Sequence, residues 1–146
     1  MVVMHQGPET FVSMMVLDGV FERHPKLKGA SVELGAGWVP EMLQRLDYVV
    51  KTWSRVDKNL SEIKRKPSEQ ILEQMAFTPF HHEDVGMLMD ASHPELYLFS
   101  SDYPHVEGTS DPIGRFERFI SDRDEHLKNL FYSENFLRLF PNASAS

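Results

Sequence analysis

The segment from Leu96 to His105, which reads LYLFSSDYPH, constrains the fold of this chain more than any other stretch. An apolar run of strand length ends in two serines, Asp102 follows directly, and Pro104 cannot continue a hydrogen-bonded strand. In α/β folds, ligands and metals bind at the carboxyl ends of buried parallel strands. The segment therefore predicts an α/β fold in which Asp102 is a functional residue.

Composition narrows the class of protein. With 146 residues, of which 41% are hydrophobic, the sequence suits one globular domain. The net charge of −7 argues against nucleic acid or an anionic membrane surface as a partner. The sequence contains no cysteine, no visible secretory signal, and no apolar run near the length of about 18 residues that a membrane span requires. We therefore expect a cytoplasmic protein without disulfides.

Helical and strand-like patterns alternate along the chain, which predicts parallel β–α units with right-handed crossovers. Three parallel strands cannot close a barrel, so the predicted sheet has uncovered edges. Strands are predicted over 28–34, 75–80 and 96–101. Helices are predicted over 9–23, 39–54, 83–91, from Glu69 after a Ser68 cap, from Pro112 after an Asp111 cap, and from Ser133.

Apolar residues at helical spacing indicate the helix faces that should be buried. The polar stretch 55–67 is expected to be a surface linker or the tail of the preceding helix, and 142–146 a frayed tail. The residues predicted to line the core are Phe11, Met14, Met15 and Leu17 in the first helix, Leu43, Leu46, Val50 and Trp53 in the second, Ile113, Phe116 and Ile120 after Asp111, and Phe136, Leu137 and Phe140 in the last.

Several histidines lie close to predicted strand ends. His81 and His82 are adjacent, and adjacent side chains of an extended segment point to opposite sides, so both cannot easily face one ion. One of them, His81 above all, is expected at the rim of a pocket. His105 is a candidate for substrate contact or for support of Asp102, and its alternative is a solvated loop histidine. The pair Gly35-x-Gly37 is too short for a phosphate loop.

Three groups of segments, in this order, resemble the amidohydrolase-related family of metal-dependent (β/α)8 barrels, which includes aminocarboxymuconate-semialdehyde decarboxylase and related hydrolases. They are 19–28 with 32–40 and 45–47, then 77–80 with 83–86, and finally 98–105 with 107–109 and 134–136. The resemblance implies the carboxyl-terminal part of the family barrel, roughly strands six to eight with their helices, over residues 1–141.

The resemblance also implies roles for individual residues. Asp102 matches the strand-eight aspartate, which binds the divalent metal and can act on the metal-bound water; alternatively, its carboxylate caps amides of the following turn. Glu33 lies where many members carry a strand-six histidine and one branch carries glutamate, which makes it a pocket residue; its alternative is an ion pair or a helix N-terminus. His5 lies near the strand-five histidine in chain order, which makes it a second candidate for a metal ligand, and the strand-one histidines have no counterpart.

The activity implied by the resemblance is hydrolysis of a C–N or C–O bond in a small organic substrate, with Zn²⁺ or a similar ion as cofactor, or decarboxylation by a related enzyme. Other hypotheses are an inactive truncated product, or an α/β assembly module whose open sheet edge binds a second chain and gives a homo-oligomer. Because a hydrolytic metal site needs three or more ligands, we expect the isolated chain to be inactive and to bind Zn²⁺ weakly or not at all.

Overall fold

A computed structural model describes residues 3–106 and 108–144 of the chain. Helices and short strands alternate, and every strand pairing found in these residues is parallel. In chain order the elements are α1 (Gln6–Leu17), α2 (Val20–Arg23), β1 (Gly29–Ser31), α3 (Val39–Trp53), α4 (Lys58–Ser61), α5 (Pro67–Gln74), β2 (Met75–Phe77), α6 (Val85–Ala91), a 3-10 turn (Pro94–Leu96), α7 (Pro112–Ile120), α8 (Glu125–Asn129), a π-helical turn (Leu130–Glu134), α9 (Asn135–Leu139) and a 3-10 turn (Pro141–Ser144).

The sheet is smaller than the sequence predicted. β1 and β2 pair in register from Gly29 opposite Met75 to Ser31 opposite Phe77, and the third strand is reduced to one parallel bridge between Phe77 and Tyr97. The predicted strands 28–34, 75–80 and 96–101 were therefore too long, although the parallel α/β arrangement is confirmed.

Local chemistry explains where each strand stops. β1 ends because Glu33 adopts a left-handed backbone conformation with φ of 62°. β2 ends shortly before Pro79, which has no amide hydrogen to donate to a ladder. On the third strand, the amide of Leu98 still donates to the carbonyl of Phe77 at 2.9 Å, but the amide of Phe99 donates to the carbonyl of Phe131 at 3.0 Å. The π-helical turn thus takes the hydrogen bond that would have extended the sheet.

Two helices, α3 and α7, begin at the residues that the sequence predicted, and α1 and α6 begin within three residues of their predicted starts. In α7, Asp111 accepts a hydrogen bond from the amide of Gly114 at 3.0 Å, and Pro112 is the first helical residue. Four predictions were wrong. Gly19, with φ of 67°, divides the helix predicted over 9–23 into α1 and α2. The predicted linker contains α4, Lys66 rather than Ser68 precedes α5, and the last helical stretch starts at Glu125 rather than Ser133.

The core lies between the small sheet and the helices packed on it. Its largest fully buried side chains include Phe77, Tyr97, Phe116 and Phe131. Fully burying one such side chain contributes about 2–3 kcal/mol. Six residues predicted to face the core are exposed instead, because each lies on the solvent side or near the end of its helix: Phe11, Met14, Trp53, Ile113, Phe136 and Leu137.

None of the helices within residues 3–106 and 108–144 is both long and apolar enough to cross a membrane. Of the tail predicted over 142–146, residues up to 144 belong to the last 3-10 turn, and residues 145–146 lie outside the described residues. Because β1, β2 and the Tyr97 bridge are parallel, their carboxyl ends lie at one edge of the sheet. That edge carries the residues singled out in the sequence.

Candidate metal centre

The loops that follow the three strands enclose a small cavity at the carboxyl edge of the sheet. Its volume of about 10 Å³ is comparable to the space of one water molecule or one ion. Three residues predicted for a site, Glu33, His81 and Asp102, lie together in its wall. The full lining consists of Glu33, Thr78, Pro79, Phe80, His81, Ser100, Ser101 and Asp102.

Three side chains beside this cavity could share one metal ion. A carboxylate oxygen of Glu33, a carboxylate oxygen of Asp102 and a ring nitrogen of His105 all lie within 4.8 Å of one another. Carboxylate and imidazole are the ligands that Zn²⁺ and related divalent ions accept in catalytic sites. Glu33 and His105 are exposed and Asp102 is half-buried, so such an ion would remain accessible to a small molecule.

Asp102 has a carboxylate oxygen that no described group satisfies. Its Oδ1 is buried and has no hydrogen-bond partner. Among the described residues, no amide of the following turn donates to the Asp102 carboxylate, and two serines accept nearby amides instead. Ser100 Oγ accepts from the amide of Asp102 at 3.4 Å, and Ser101 Oγ accepts from that of Tyr103 at 3.3 Å.

An unpartnered buried carboxylate oxygen is costly, and a bound cation is a partner that would offset the cost. The donor set of two carboxylates and one imidazole suits a divalent ion, and neither carboxylate forms an ion pair with a Lys or Arg among the described residues. The residues present therefore fit a divalent metal ion.

An unusual backbone conformation places the side chains of Glu33 and Asp102 at the cavity. Among the described residues, Glu33 and Asp102 are the two non-glycine positions with positive φ, at 62° and 55°. Such conformations cost about 1–3 kcal/mol each and tend to occur at functional sites. The turn after Asp102 is closed by the amide of His105, which donates to the Asp102 carbonyl at 2.9 Å. This turn returns the imidazole to the neighbourhood of the acid three residues earlier.

The other histidines near the predicted strand ends are not among the three possible metal ligands. His82 and His5 line a second depression of about 390 Å³, together with Trp38 and Phe80. The rings of His81 and His82 are nearly perpendicular, with centroids 5.9 Å apart. His81 lines the small cavity and His82 lines the second depression, so the two histidines lie at different cavities. His5 is not a member of the Glu33, Asp102 and His105 group.

Sequence reasoning missed the role of Glu83. The helix predicted from residue 83 begins instead at Val85, and its cap is Asp84, whose Oδ1 accepts from the amide of Met87 at 2.9 Å. Glu83 instead accepts three backbone hydrogen bonds, from Ala36 and Gly37 after β1 and from Phe80 after β2. The pair Gly35-x-Gly37 was the available signal, because glycines leave room for a side chain to approach the backbone.

Tyr97 lies beneath the site, at the point where the third strand pairs with β2. Burial raises the pKa of Tyr97 to about 12, the hydrogen bond with Ser92 lowers it somewhat, and the negative charge of Glu83 raises it. The phenol oxygen of Tyr97 lies 2.6 Å from Oγ of Ser92. Tyr97 is therefore a neutral, hydrogen-bonded core residue at ordinary pH.

Two solved structures have a similar fold. An amidohydrolase from Mycobacterium avium subsp. paratuberculosis K-10 is 27% identical and superposes with a TM-score of 0.75; the match covers 92% of this chain and 33% of that chain. The 5-carboxyvanillate decarboxylase LigW from Sphingomonas paucimobilis is 28% identical, with a TM-score of 0.71, over 90% of this chain and 39% of that chain. The chain thus spans about a third of the length of these structures and corresponds to part of a TIM barrel.

No curated protein matches the sequence significantly. The family described as Amidohydrolase, in contrast, matches residues 1–141, which is nearly the whole sequence. The match agrees with the resemblance found in the three groups of segments and with the parallel strands whose ends carry Glu33 and Asp102. The chain therefore belongs to the amidohydrolase family.

Proposed function

We propose that this chain carries part of a metal-dependent catalytic site that hydrolyses a C–N or C–O bond of a small organic substrate. The observation that carries the proposal is the convergence of Glu33, Asp102 and His105 within 4.8 Å, beside a buried Asp102 oxygen without a partner. The family is generally metal-dependent, and its members act on small molecules.

Glu33, Asp102 and His105 would hold the ion, and Zn²⁺ is the ion we propose. When bound, it supplies a Lewis acid that polarises the scissile group and favours deprotonation of water. Asp102 accepts the proton of the attacking water and returns it to the leaving nitrogen or oxygen, so that the elements of water are added across the broken bond. His81, in the cavity wall, donates a hydrogen bond that orients the substrate. His5, which lines the second depression, stays a prediction as a ligand.

Decarboxylation is the second candidate, and the similarity to 5-carboxyvanillate decarboxylase favours it. In that reaction the bond between the carboxyl carbon and the substrate breaks, carbon dioxide leaves, and a proton takes its place. Asp102 would deliver that proton rather than remove one from water. The same three side chains serve both reactions, so the substrate distinguishes them.

Metal titration tests the shared part of the two candidates. The sequence led us to expect weak Zn²⁺ binding or none, because too few ligands were evident. With Glu33 and His105 beside Asp102, we now expect the chain to bind Zn²⁺ measurably in a calorimetric titration. Asp102→Asn should weaken binding at least about ten-fold, since it removes a charged ligand. Asp122→Asn, at an exposed surface carboxylate, is the matched control and should leave the affinity unchanged. Failure of the folded chain to bind Zn²⁺, or binding unchanged in Asp102→Asn, contradicts the proposal.

Product analysis then separates the reactions. The metal-loaded protein is offered small amides and esters in one panel and hydroxylated aromatic carboxylates in the other. Hydrolysis products that require Asp102 support the first candidate, and release of carbon dioxide that requires Asp102 supports the second. The cytoplasmic location and a homo-oligomeric state stay predictions, and sedimentation of the purified protein tests the latter.

A further inference from the structure

The carboxylate of Glu83 joins two of the loops that carry the candidate site. Its Oε1 accepts the amide of Gly37 at 2.8 Å, and its Oε2 accepts the amides of Ala36 at 2.9 Å and Phe80 at 2.7 Å. Hydrogen bonds from backbone amides to a carboxylate are charge-assisted and stronger than those between neutral groups. One side chain thus ties the loop after β1 to the loop after β2.

Both glycines of the first loop make room for this carboxylate. A Cβ atom at Gly37 would lie 2.9 Å from Oε1 of Glu83, and one at Gly35 would lie 2.9 Å from the ring of Phe80 and 3.2 Å from Oε1. Gly35 also has φ of 69°, a left-handed conformation that side chains other than glycine rarely adopt. The Gly35-x-Gly37 pair therefore leaves room for a carboxylate of the chain itself, which accepts the amides of this loop.

The joined loops lead directly to the site. Glu33 lies two residues before Gly35, and its own amide donates to Oγ1 of Thr78 at 3.1 Å. Residues 78–81, which include the Glu83 contact at Phe80, form one wall of the cavity that Asp102 also lines. The backbone on both sides of the Glu33 left-handed turn is consequently held, by Thr78 on one side and Glu83 on the other.

We propose that Glu83 is a positioning residue, which holds Glu33 and the 78–81 wall in the geometry needed for metal binding with Asp102 and His105. This inference rests on the proposed function as far as the metal is concerned. Glu83 itself contacts neither the substrate nor the ion. It fixes two backbone segments, and side chains of those segments contact the ion or the substrate.

The test uses Glu83→Gln in the full chain. A glutamine keeps one acceptor oxygen but turns an NH₂ donor towards a backbone N–H, so at least one of the three hydrogen bonds is lost. We expect the Zn²⁺ affinity to fall roughly 10- to 100-fold, as for other groups that orient metal ligands. We also expect faster hydrogen exchange at the amides of Ala36, Gly37 and Phe80, and displaced NMR signals for Glu33.

Two matched variants separate positioning from general stability. Glu22→Gln removes a carboxylate that accepts the amide of Arg65 elsewhere in the chain, and it should lower stability without changing Zn²⁺ affinity or exchange in the joined loops. Gly37→Ala should reproduce the effect of Glu83→Gln by displacing the carboxylate, whereas Gly7→Ala, whose Cβ would meet nothing within 4 Å, should not.

The inference is overturned if Glu83→Gln lowers stability, as Glu22→Gln does, and leaves the Zn²⁺ affinity and the Glu33 signals unchanged. Should the wild-type chain bind no Zn²⁺, the proposed function fails, and the exchange rates and Glu33 signals still decide whether Glu83 positions the site. If Zn²⁺ binds and Asp102→Asn alone weakens it, the proposed function stands and the role of Glu83 is refuted.

Discussion

Oγ1 of Thr78 accepts a hydrogen bond from the backbone amide of Glu33 at 3.1 Å, which joins the ends of two strands that lie 45 residues apart in sequence. Thr78 is buried, and Glu33 is at that point in a left-handed conformation. The hydroxyl therefore stabilises the strained turn that presents the Glu33 carboxylate.

Replacing this hydroxyl should affect both stability and the site. Thr78→Val keeps the shape of the side chain but leaves the Glu33 amide without its acceptor, which should cost about 1–3 kcal/mol in the free energy of unfolding. The Zn²⁺ affinity should fall as well, because the Glu33 backbone is released. Urea unfolding and calorimetry measure the two effects. Thr52→Val, at an exposed helical position, is the control. Equal effects of the two substitutions would contradict the role of Thr78 in holding the Glu33 backbone.

The ionisation of Tyr97 should make stability depend on alkaline pH. Its pKa is raised from the usual value of 10 to about 12 by burial, so the neutral phenol is favoured in the folded state. Stability linked to Tyr97 is fully present below about pH 10 and is lost as the pH rises towards about 12. The loss should amount to about 2–3 kcal/mol. Burial and the hydrogen bond to Glu117 raise the pKa of Tyr132 in the same direction.

Urea unfolding at a series of pH values checks this expectation. Tyr97→Phe cannot ionise, so its stability should decline less than that of the wild-type protein across this pH range, with the remaining decline due to Tyr132. Tyr48→Phe, at an exposed tyrosine, should keep the full wild-type pH dependence. A decline of the same size in Tyr97→Phe and in the wild-type protein would show that Tyr97 is not the responsible group.

The aromatic cluster around Phe116 should dominate the stability of the carboxyl-terminal half. Its ring lies 5.0 Å from that of Phe131 and 5.9 Å from that of Phe99, measured between centroids. Phe116→Ala should cost about 3–5 kcal/mol, because it removes buried surface and leaves a cavity. Phe11→Ala, at a position where the side chain is 63% exposed, should change stability by less than about 1 kcal/mol. Thermal and urea unfolding compare the two.

Asn135 should anchor the last helix to the third strand. Its Nδ2 donates to the carbonyls of Pro94 and Tyr97, both at 2.9 Å, and the residue is fully buried. Asn135→Ala leaves the Tyr97 carbonyl without this donor and leaves the Pro94 carbonyl only the longer bond from the Tyr97 amide at 3.4 Å, which should cost about 2 kcal/mol or more. Asn129→Ala, at an exposed position of α8, provides the control. Native-state hydrogen exchange at Leu98, whose amide bonds to Phe77, should speed up only in Asn135→Ala.

Local signals in the sequence were sufficient for several helices and for the position of Asp102. The Asp111–Pro112 pair predicted the start of α7, since a cap and a fixed φ act within one turn. An apolar run followed by an acid and a proline predicted a strand end with a functional carboxylate. The α/β alternation likewise followed from residues that are neighbours in sequence.

Other features of the fold and the site depend on groups that are distant in sequence, so only the tertiary structure shows them. The third strand stops early because the Phe99 amide bonds to Phe131, and no local pattern encodes that choice. Likewise, the hydrogen bonds of Glu83 to the backbone could not be predicted, because only the fold places Ala36 and Phe80 beside it. The sequence by itself determined which residue types lie at strand ends. The parallel packing of those ends determined that Glu33, Asp102 and His105 lie close together. The reason is that the distance between side chains on different loops depends on strand register and not on spacing along the chain.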